Sequence, residues 1–162
     1  MSRVCETYVD YDAFFYPLDA IGSWNRIYGS RGFTQYQCVL PKETSRKGLH
    51  EILTEISGSG MGSFLAVLKL FGKGNGNLLS FPMEGYTLAM DFPLTKNIFD
   101  FLNRLDGIVL EHGGRLYLSK DVRMGQEMFM KTYPNSAQFV QFKRRVDPEN
   151  RMSSLQSKRL GI

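Results

Sequence analysis

Cysteine and histidine are scarce, with two of each in 162 residues. Cys5 and Cys38 allow at most one bridge and cannot build a Cys-rich zinc site, and His50 and His112 complete no ligand cluster, so metal chemistry is not expected. Neither histidine stands near a serine or cysteine in a way that suggests a triad. No apolar run approaches the roughly 20 residues that span a bilayer, and the N-terminus, M-S-R-V-C-E-T-Y, is charged where a signal peptide is apolar. A soluble, cytoplasmic chain is the expectation. A nucleotide fingerprint is missing too. G-K-G-N-G-N, from Gly72 to Asn77, has neither the Walker spacing nor a strand-turn-helix context and reads as a hairpin-type loop.

What is present suits one core. A hydrophobic share of 43% and an aromatic share of 13% over this length fit one compact unit rather than two ordinary domains. The net charge of +4 is uneven: from Arg115 onward ten bases face four acids, so this stretch carries +6 and the remainder −2. Such an excess is either a solvated helix face or a surface for a phosphate, a nucleic acid or an anionic lipid.

Periodicity orders the elements. Pro17-Leu18-Asp19 can open a helix with Leu18, Ile21, Trp24 and Tyr28 on one side and Gly29 as its stop. Phe33 to Leu40 reads as a strand with Tyr36 and Cys38 on one face and Gln35 and Gln37 on the other. Leu49, Ile52, Leu53 and Ile56 fall at amphipathic-helix spacing. Ser63 to Phe71 is nearly continuous in apolar residues, as in a central strand, and Lys69 interrupts it. Gly85 to Phe92 alternates, with Leu88 and Met90 against Thr87, Ala89 and Asp91. Ile98, Leu102, Leu105 and Val109 form the stripe of a second long helix stopped at His112-Gly113-Gly114. G-R-L-Y-L-S-K-D, Gly114 to Asp121, supplies the last strand.

The order β-α-β-β-α-β predicts an α+β, ferredoxin-like antiparallel sheet with both helices on one face. By parity Gln35, Gln37, Thr87, Ala89 and Asp91 look toward the other, open face. Two further helices, Asp121 to Thr132 and Ser136 to Val146, and a short tail after Asp147-Pro148 follow.

Several residues invite chemistry. Lys69 must snorkel outward or find a partner, because burying it unpaired costs several kcal/mol; an edge lysine is the plain alternative. Gln35 and Gln37 can grip a polar ligand or simply face solvent. Asp91 can cap the following helix. Tyr117 and Lys120 converge only if the chain turns at Ser119, which an N-cap at Ser119 or Asp121 favours. A lysine at that corner, with a phenol and the Asp121 carboxylate beside it, suits holding an anion or balancing charge that develops in a reaction.

The blocks F-T-Q-Y-Q-C-V-L-P, F-L-A-V-L-K-L-F-G, L-S-F-P-M-E-G-Y-T-L-A-M-D-F-P, L-E-H-G-G-R-L-Y-L-S-K-D and K-R-R-V-D-P, in this order and spacing, resemble the C-terminal part of the FAD-linked oxidases of the vanillyl-alcohol oxidase superfamily, from about Phe15 to the end. The resemblance implies a flavoenzyme that oxidises a sugar hydroxyl, the C2′ of a lipid-linked pentose or polyprenyl-phosphate sugar, by hydride transfer to flavin N5. Lys120 then resembles the lysine between substrate and isoalloxazine, with Tyr117 beside it, and both count as catalytic and cofactor-binding positions. Gln35, Gln37, Lys69, Thr87 and Ala89 resemble substrate-pocket positions. Thr87 and Ala89 depart from an asparagine and a cysteine found there in a member of the family.

On the same resemblance, residues 1–114 correspond to a portion of the substrate-binding cap and 115–162 to a segment that returns to the FAD-binding domain. That domain holds most of the FAD in the family and has no counterpart in these 162 residues. It is expected as a partner in cis or in trans, and the chain by itself is expected to be an inactive fragment. Peripheral membrane contact is a further expectation, since the implied substrate is lipid-linked. An aldonolactone oxidase fragment is the nearest alternative, although its histidine-tryptophan-glycine-lysine run is absent. An RNA-recognition module shares the element order, but E-G-Y-T-L-A-M-D-F keeps only the glycine and first aromatic of the RNA-binding strand, so no nucleic acid partner is expected.

Overall fold

The computed structural model describes residues 7–162, so Cys5 lies outside the described residues. Four strands, β1 (Phe33–Pro41), β2 (Ala66–Phe71), β3 (Gly85–Pro93) and β4 (Arg115–Leu116), form one sheet in the order β2-β3-β1-β4 with every neighbouring pair antiparallel. The helices α2 (Lys42–Ser59) and α3 (Ile98–Glu111) connect β1 to β2 and β3 to β4, which is the split βαβ arrangement the sequence predicts.

The core follows from parity. Tyr36, Cys38 and Leu40 of β1 stand opposite Met90, Leu88 and Tyr86 of β3, and the first two pairs, with Leu40 and Phe92, are buried against Ile52 of α2 and Phe101, Leu102, Leu105 and Val109 of α3. Each fully buried Leu or Phe in this layer is worth roughly 1.5–3 kcal/mol. Two glycines let the layers close. A Cβ on Gly48 would lie 2.7 Å from Leu40 Cδ1, so α2 can approach β1 only without one. A Cβ on Gly114 would lie 2.5 Å from the Val39 carbonyl oxygen, so β4 reaches its place beside β1 through the same kind of close contact.

Several expectations give way to the structure, among them the last strand, which takes only Arg115–Leu116 of the stretch Gly114 to Asp121 before the chain turns. The apolar run Ser63 to Phe71 is an edge strand, not a central one, and it begins at Ala66. Leu68 and Leu70 are 56% and 59% exposed, because α2 and α3 pack chiefly on β1, β3 and β4. Apolar content measures the need for cover and not its presence. Where a helix is expected from Pro17 to Gly29, the chain makes turns and then a 3-10 turn Trp24–Tyr28 that does stop at Gly29, and a short helix α1 (Tyr11–Phe15) lies ahead of that stretch; Ser23 sits in the left-handed region at φ 56° and breaks any continuous helix. The helix expected from Asp121 starts only at Gln126, as α4 (Gln126–Thr132), while α5 (Ser136–Val146) matches its expected limits. A sixth helix, α6 (Leu155–Leu160), lies in the stretch read as a tail and carries a capping box between Ser154 and Ser157. Among the described residues no helix is long and apolar enough to cross a membrane.

Candidate functional site

The sheet face away from α2 and α3 carries the polar rows. Gln35 stands opposite Asp91, Gln37 opposite Ala89 and Val39 opposite Thr87, while Lys69 of β2 stands opposite Thr87 from the other side. Arg115 is paired with Val39, so it shares this face, and Tyr117 continues the row because its N–H donates to the Gln37 carbonyl at 2.9 Å. All five substrate-pocket candidates therefore share one face with Tyr117.

The amides are already oriented. Gln35 Nε2 donates to Asp91 Oδ1 at 3.0 Å, and Gln37 Nε2 donates to Thr87 Oγ1 at 3.0 Å, whose own hydroxyl donates to the Cys38 carbonyl at 2.8 Å. Each glutamine thus spends a donor on β3 and keeps its Oε1 as an acceptor. Asp91 does not cap the helix that follows. Its buried carboxylate accepts from Gln35 and, at 3.4 Å, from the Tyr28 hydroxyl, whose pKa is raised by burial and then by that carboxylate. Tyr28 in turn stacks on Phe33 at 4.5 Å. The other end of the face is closed by the β2–β3 hairpin loop: Phe81 stacks on Tyr117 at 4.5 Å and Ser80 accepts from Arg115 Nη1 at 2.9 Å.

The chain turns as the Tyr117–Lys120 pairing requires. A 3-10 turn at Leu118–Lys120 closes with the Lys120 N–H donating to the Tyr117 carbonyl at 3.0 Å, and it brings Lys120 to a small cleft lined also by Gln35, Gln37, Tyr117, Asp121 and, from the helix side, Tyr36 and Leu102; Lys69, Thr87 and Ala89 lie outside it. Lys120 is half-buried, and among the described residues its ammonium has no hydrogen bond or ion pair. The carboxylate expected beside it lines the same cleft but is engaged by other groups. Asp121 Oδ1 accepts from the Arg123 and Met124 N–H groups at 3.1 and 2.8 Å, and Oδ2 from Arg159 at 2.8 Å. Lys69, also without a partner among the described residues, is exposed at the far edge of the sheet, two strands from β1.

The chemistry available is therefore that of an uncompensated half-buried cation beside a phenol and two amide oxygens, which suits a polar or anionic ligand. Among the described residues no group of His, Cys, Asp and Glu could hold a metal. Cys38 is buried beneath the sheet, its thiol pushed up to about 12 by that burial, and is no nucleophile. His112 bonds Glu51 at 2.8 Å on the helix side, away from the cleft. Sequence reasoning missed Phe81, Tyr28 and Arg159. Phe81 lay within a resembling block, but the contacts of Tyr28 and Arg159 span 63 and 38 residues, and no local pattern signals them.

No family model matches the chain. It is 45% identical over 149 residues to a decaprenylphosphoryl-beta-D-ribose oxidase of Mycolicibacterium smegmatis, an alignment covering 92% of this chain and 32% of that protein. It is 30% identical over 132 residues to an uncharacterized protein in the mprA 5′ region of Streptomyces coelicolor, covering 81% of this chain and 36% of that one. The chain spans about a third of the length of the curated relatives it matches. Nearly all of it is thus homologous to a portion of an oxidase, as the resemblance of its motifs to the C-terminal part of the FAD-linked oxidases implied.

Proposed function

We propose that this chain is the substrate side of an FAD-dependent oxidoreductase acting on the C2′ hydroxyl of a lipid-linked pentose, with Lys120 and Tyr117 as its catalytic residues and Gln35, Gln37, Lys69, Thr87 and Ala89 in its substrate pocket. One observation carries the reading: an ammonium with no counter-ion among the described residues lines one small cleft with Tyr117, Gln35 and Gln37, whose amides are already oriented by β3. That donor set fits one wall of a flavin site, because it offers positive charge and hydrogen bonds, while the two carboxylates nearby are already held, Asp91 by Gln35 and Tyr28 and Asp121 by Arg159. FAD, when bound, supplies a hydride acceptor for the sugar carbon whose alcohol becomes a ketone. The phosphate-binding part of its site is assigned to the domain that accompanies this region in the family.

Lys120 would hold the sugar hydroxyl oxygen, whose proton is lost to water, and would offset the negative charge that the hydride carries to the flavin. Gln35 and Gln37 present Oε1 acceptors to sugar hydroxyls, and Thr87, buried beneath Gln37, holds that amide in place. Phe81, stacked on Tyr117, excludes water from one side. An ammonium about 4 Å from a developing charge is worth on the order of 4 kcal/mol at an effective dielectric near 20, before desolvation. Half of that is roughly thirtyfold in rate.

The test is anaerobic single-turnover reduction of the FAD-loaded protein, with the FAD-binding domain in cis or in trans. Lys120→Ala is expected to slow flavin reduction at least about thirtyfold while FAD content stays near wild type, and Lys120→Arg to recover only part, since a planar guanidinium does not replace a compact charge. Lys47→Ala, whose side chain is 79% exposed on α2, is the control and leaves the rate unchanged.

A further inference from the structure

The turn that carries Lys120 is bonded from three directions although its ammonium is not. The Gln37 carbonyl of β1 accepts from Tyr117 N–H. From α3, Asp106 takes Arg123 in a two-pronged ion pair at 2.6 and 2.7 Å, and Tyr36 donates to the same carboxylate at 3.1 Å. The third support comes from α6, some 38 residues later in the chain. Gln156 Nε2 donates to the Leu118 carbonyl at 2.6 Å, and Arg159 bridges the Asp121 carboxylate at 2.8 Å and the Met124 carbonyl. Leu160, 1% exposed, anchors the helix in the core.

Asp121 is central to this third support. Its side chain is only 5% exposed, and its two oxygens tie the backbone just after Lys120 to the guanidinium of α6. A carboxylate so buried needs that cation, and the cation draws off the negative charge that would otherwise pair with the adjacent lysine. We infer that Arg159 and Gln156 of α6 are positioning residues that fix the Lys120 turn and keep its ammonium free of Asp121, which makes the C-terminal helix part of the substrate site. This rests on the role proposed for Lys120 above.

Two measurements test it. In amide hydrogen exchange on the chain itself, Arg159→Gln and Gln156→Ala each speed exchange at Lys120, Arg123 and Met124 by about tenfold, while amides of β1 and β3 stay within about twofold. Arg159→Lys restores part of the protection, since one ammonium can meet Asp121 but lacks the second prong. Unchanged exchange at the turn overturns the inference, and so does an equal rise throughout the sheet, which is what a merely structural role gives. In the FAD-loaded protein, Arg159→Gln slows flavin reduction about tenfold and adds less than about twofold to Lys120→Ala, because residues acting through one group are not additive. Independent, multiplying effects overturn the positioning role. If Lys120→Ala itself has no effect, the functional reading fails, while the exchange result still decides whether α6 holds the turn.

Discussion

Two lysines reach the same sheet face from opposite edges, and their surroundings differ in every respect but charge. Lys120 rises from a turn fixed by β1, α3 and α6, half-buried beside Tyr117. Lys69 sits on the edge strand β2, exposed, among side chains no helix covers. A fixed charge in a low-dielectric cleft stabilises a reacting group without reorganising, whereas an exposed one is screened and free to move. Under the proposed function, this contrast would give the chemistry to Lys120 and attraction of the ligand to Lys69.

The largest effect expected from breaking this contrast is on stability. Arg123→Ala leaves the buried Asp106 carboxylate without its cation and is expected to cost about 3–5 kcal/mol in urea denaturation, while Lys69→Ala stays within about 0.5 kcal/mol. Similar values for the two would erase the distinction between a built corner and a free edge. Asp106 is the group under tension: burial raises its pKa and Arg123 opposes that rise.

A smaller effect sits between the lysines. Thr87→Val removes the acceptor of Gln37 and the donor to the Cys38 carbonyl, and it is expected to cost about 1–2 kcal/mol. The same measurement in a Gln37→Ala background should give less, because one of the two bonds is already gone. Equal costs in both backgrounds would mean the bridge is not coupled to the site row.

Salt separates the two charges next. Raising ionic strength from about 0.01 to about 0.15 M shortens the screening length from about 30 to about 8 Å. The apparent affinity for an anionic sugar phosphate should weaken with salt in wild type and weaken less in Lys69→Ala, while the rate of flavin reduction at saturation should respond little. A strong salt dependence of that rate would place the reacting charge in open solvent.

The smallest effect lies outside the site and calibrates it. Glu51 has its pKa lowered, first by the hydrogen bond from His112, so the stability it contributes is present above the ordinary carboxylate range and is lost as pH falls through its lower folded value. Thermal melts of wild type and Glu51→Gln should converge at the acid end of that window and separate above it. A gap that widens on acidification would reverse the sign of this linkage.

The rows of the site were legible because a strand's parity is a local property: Gln35, Gln37, Thr87 and Ala89 share a face in any sheet that buries Tyr36, Cys38, Leu88 and Met90. The turn that joins Tyr117 to Lys120 was legible as a condition, and the resemblance of the motifs supplied its meaning. Three things were not legible. The place of β2 at the edge depends on which strands the helices cover, and the broken helix before Gly29 depends on the single left-handed residue Ser23. The destination of Asp121 depends on Arg159, whose helix is too short to announce itself by periodicity.

The most direct test of the central claim is the rate of flavin reduction by sugar substrate in the FAD-loaded protein, compared between Lys120→Ala and Lys69→Ala under anaerobic single turnover. The account predicts that Lys120→Ala loses at least about thirtyfold in the limiting rate, and that Lys69→Ala raises the concentration for half-saturation far more than it lowers that rate. A wild-type limiting rate in Lys120→Ala, or a larger loss in Lys69→Ala, contradicts it.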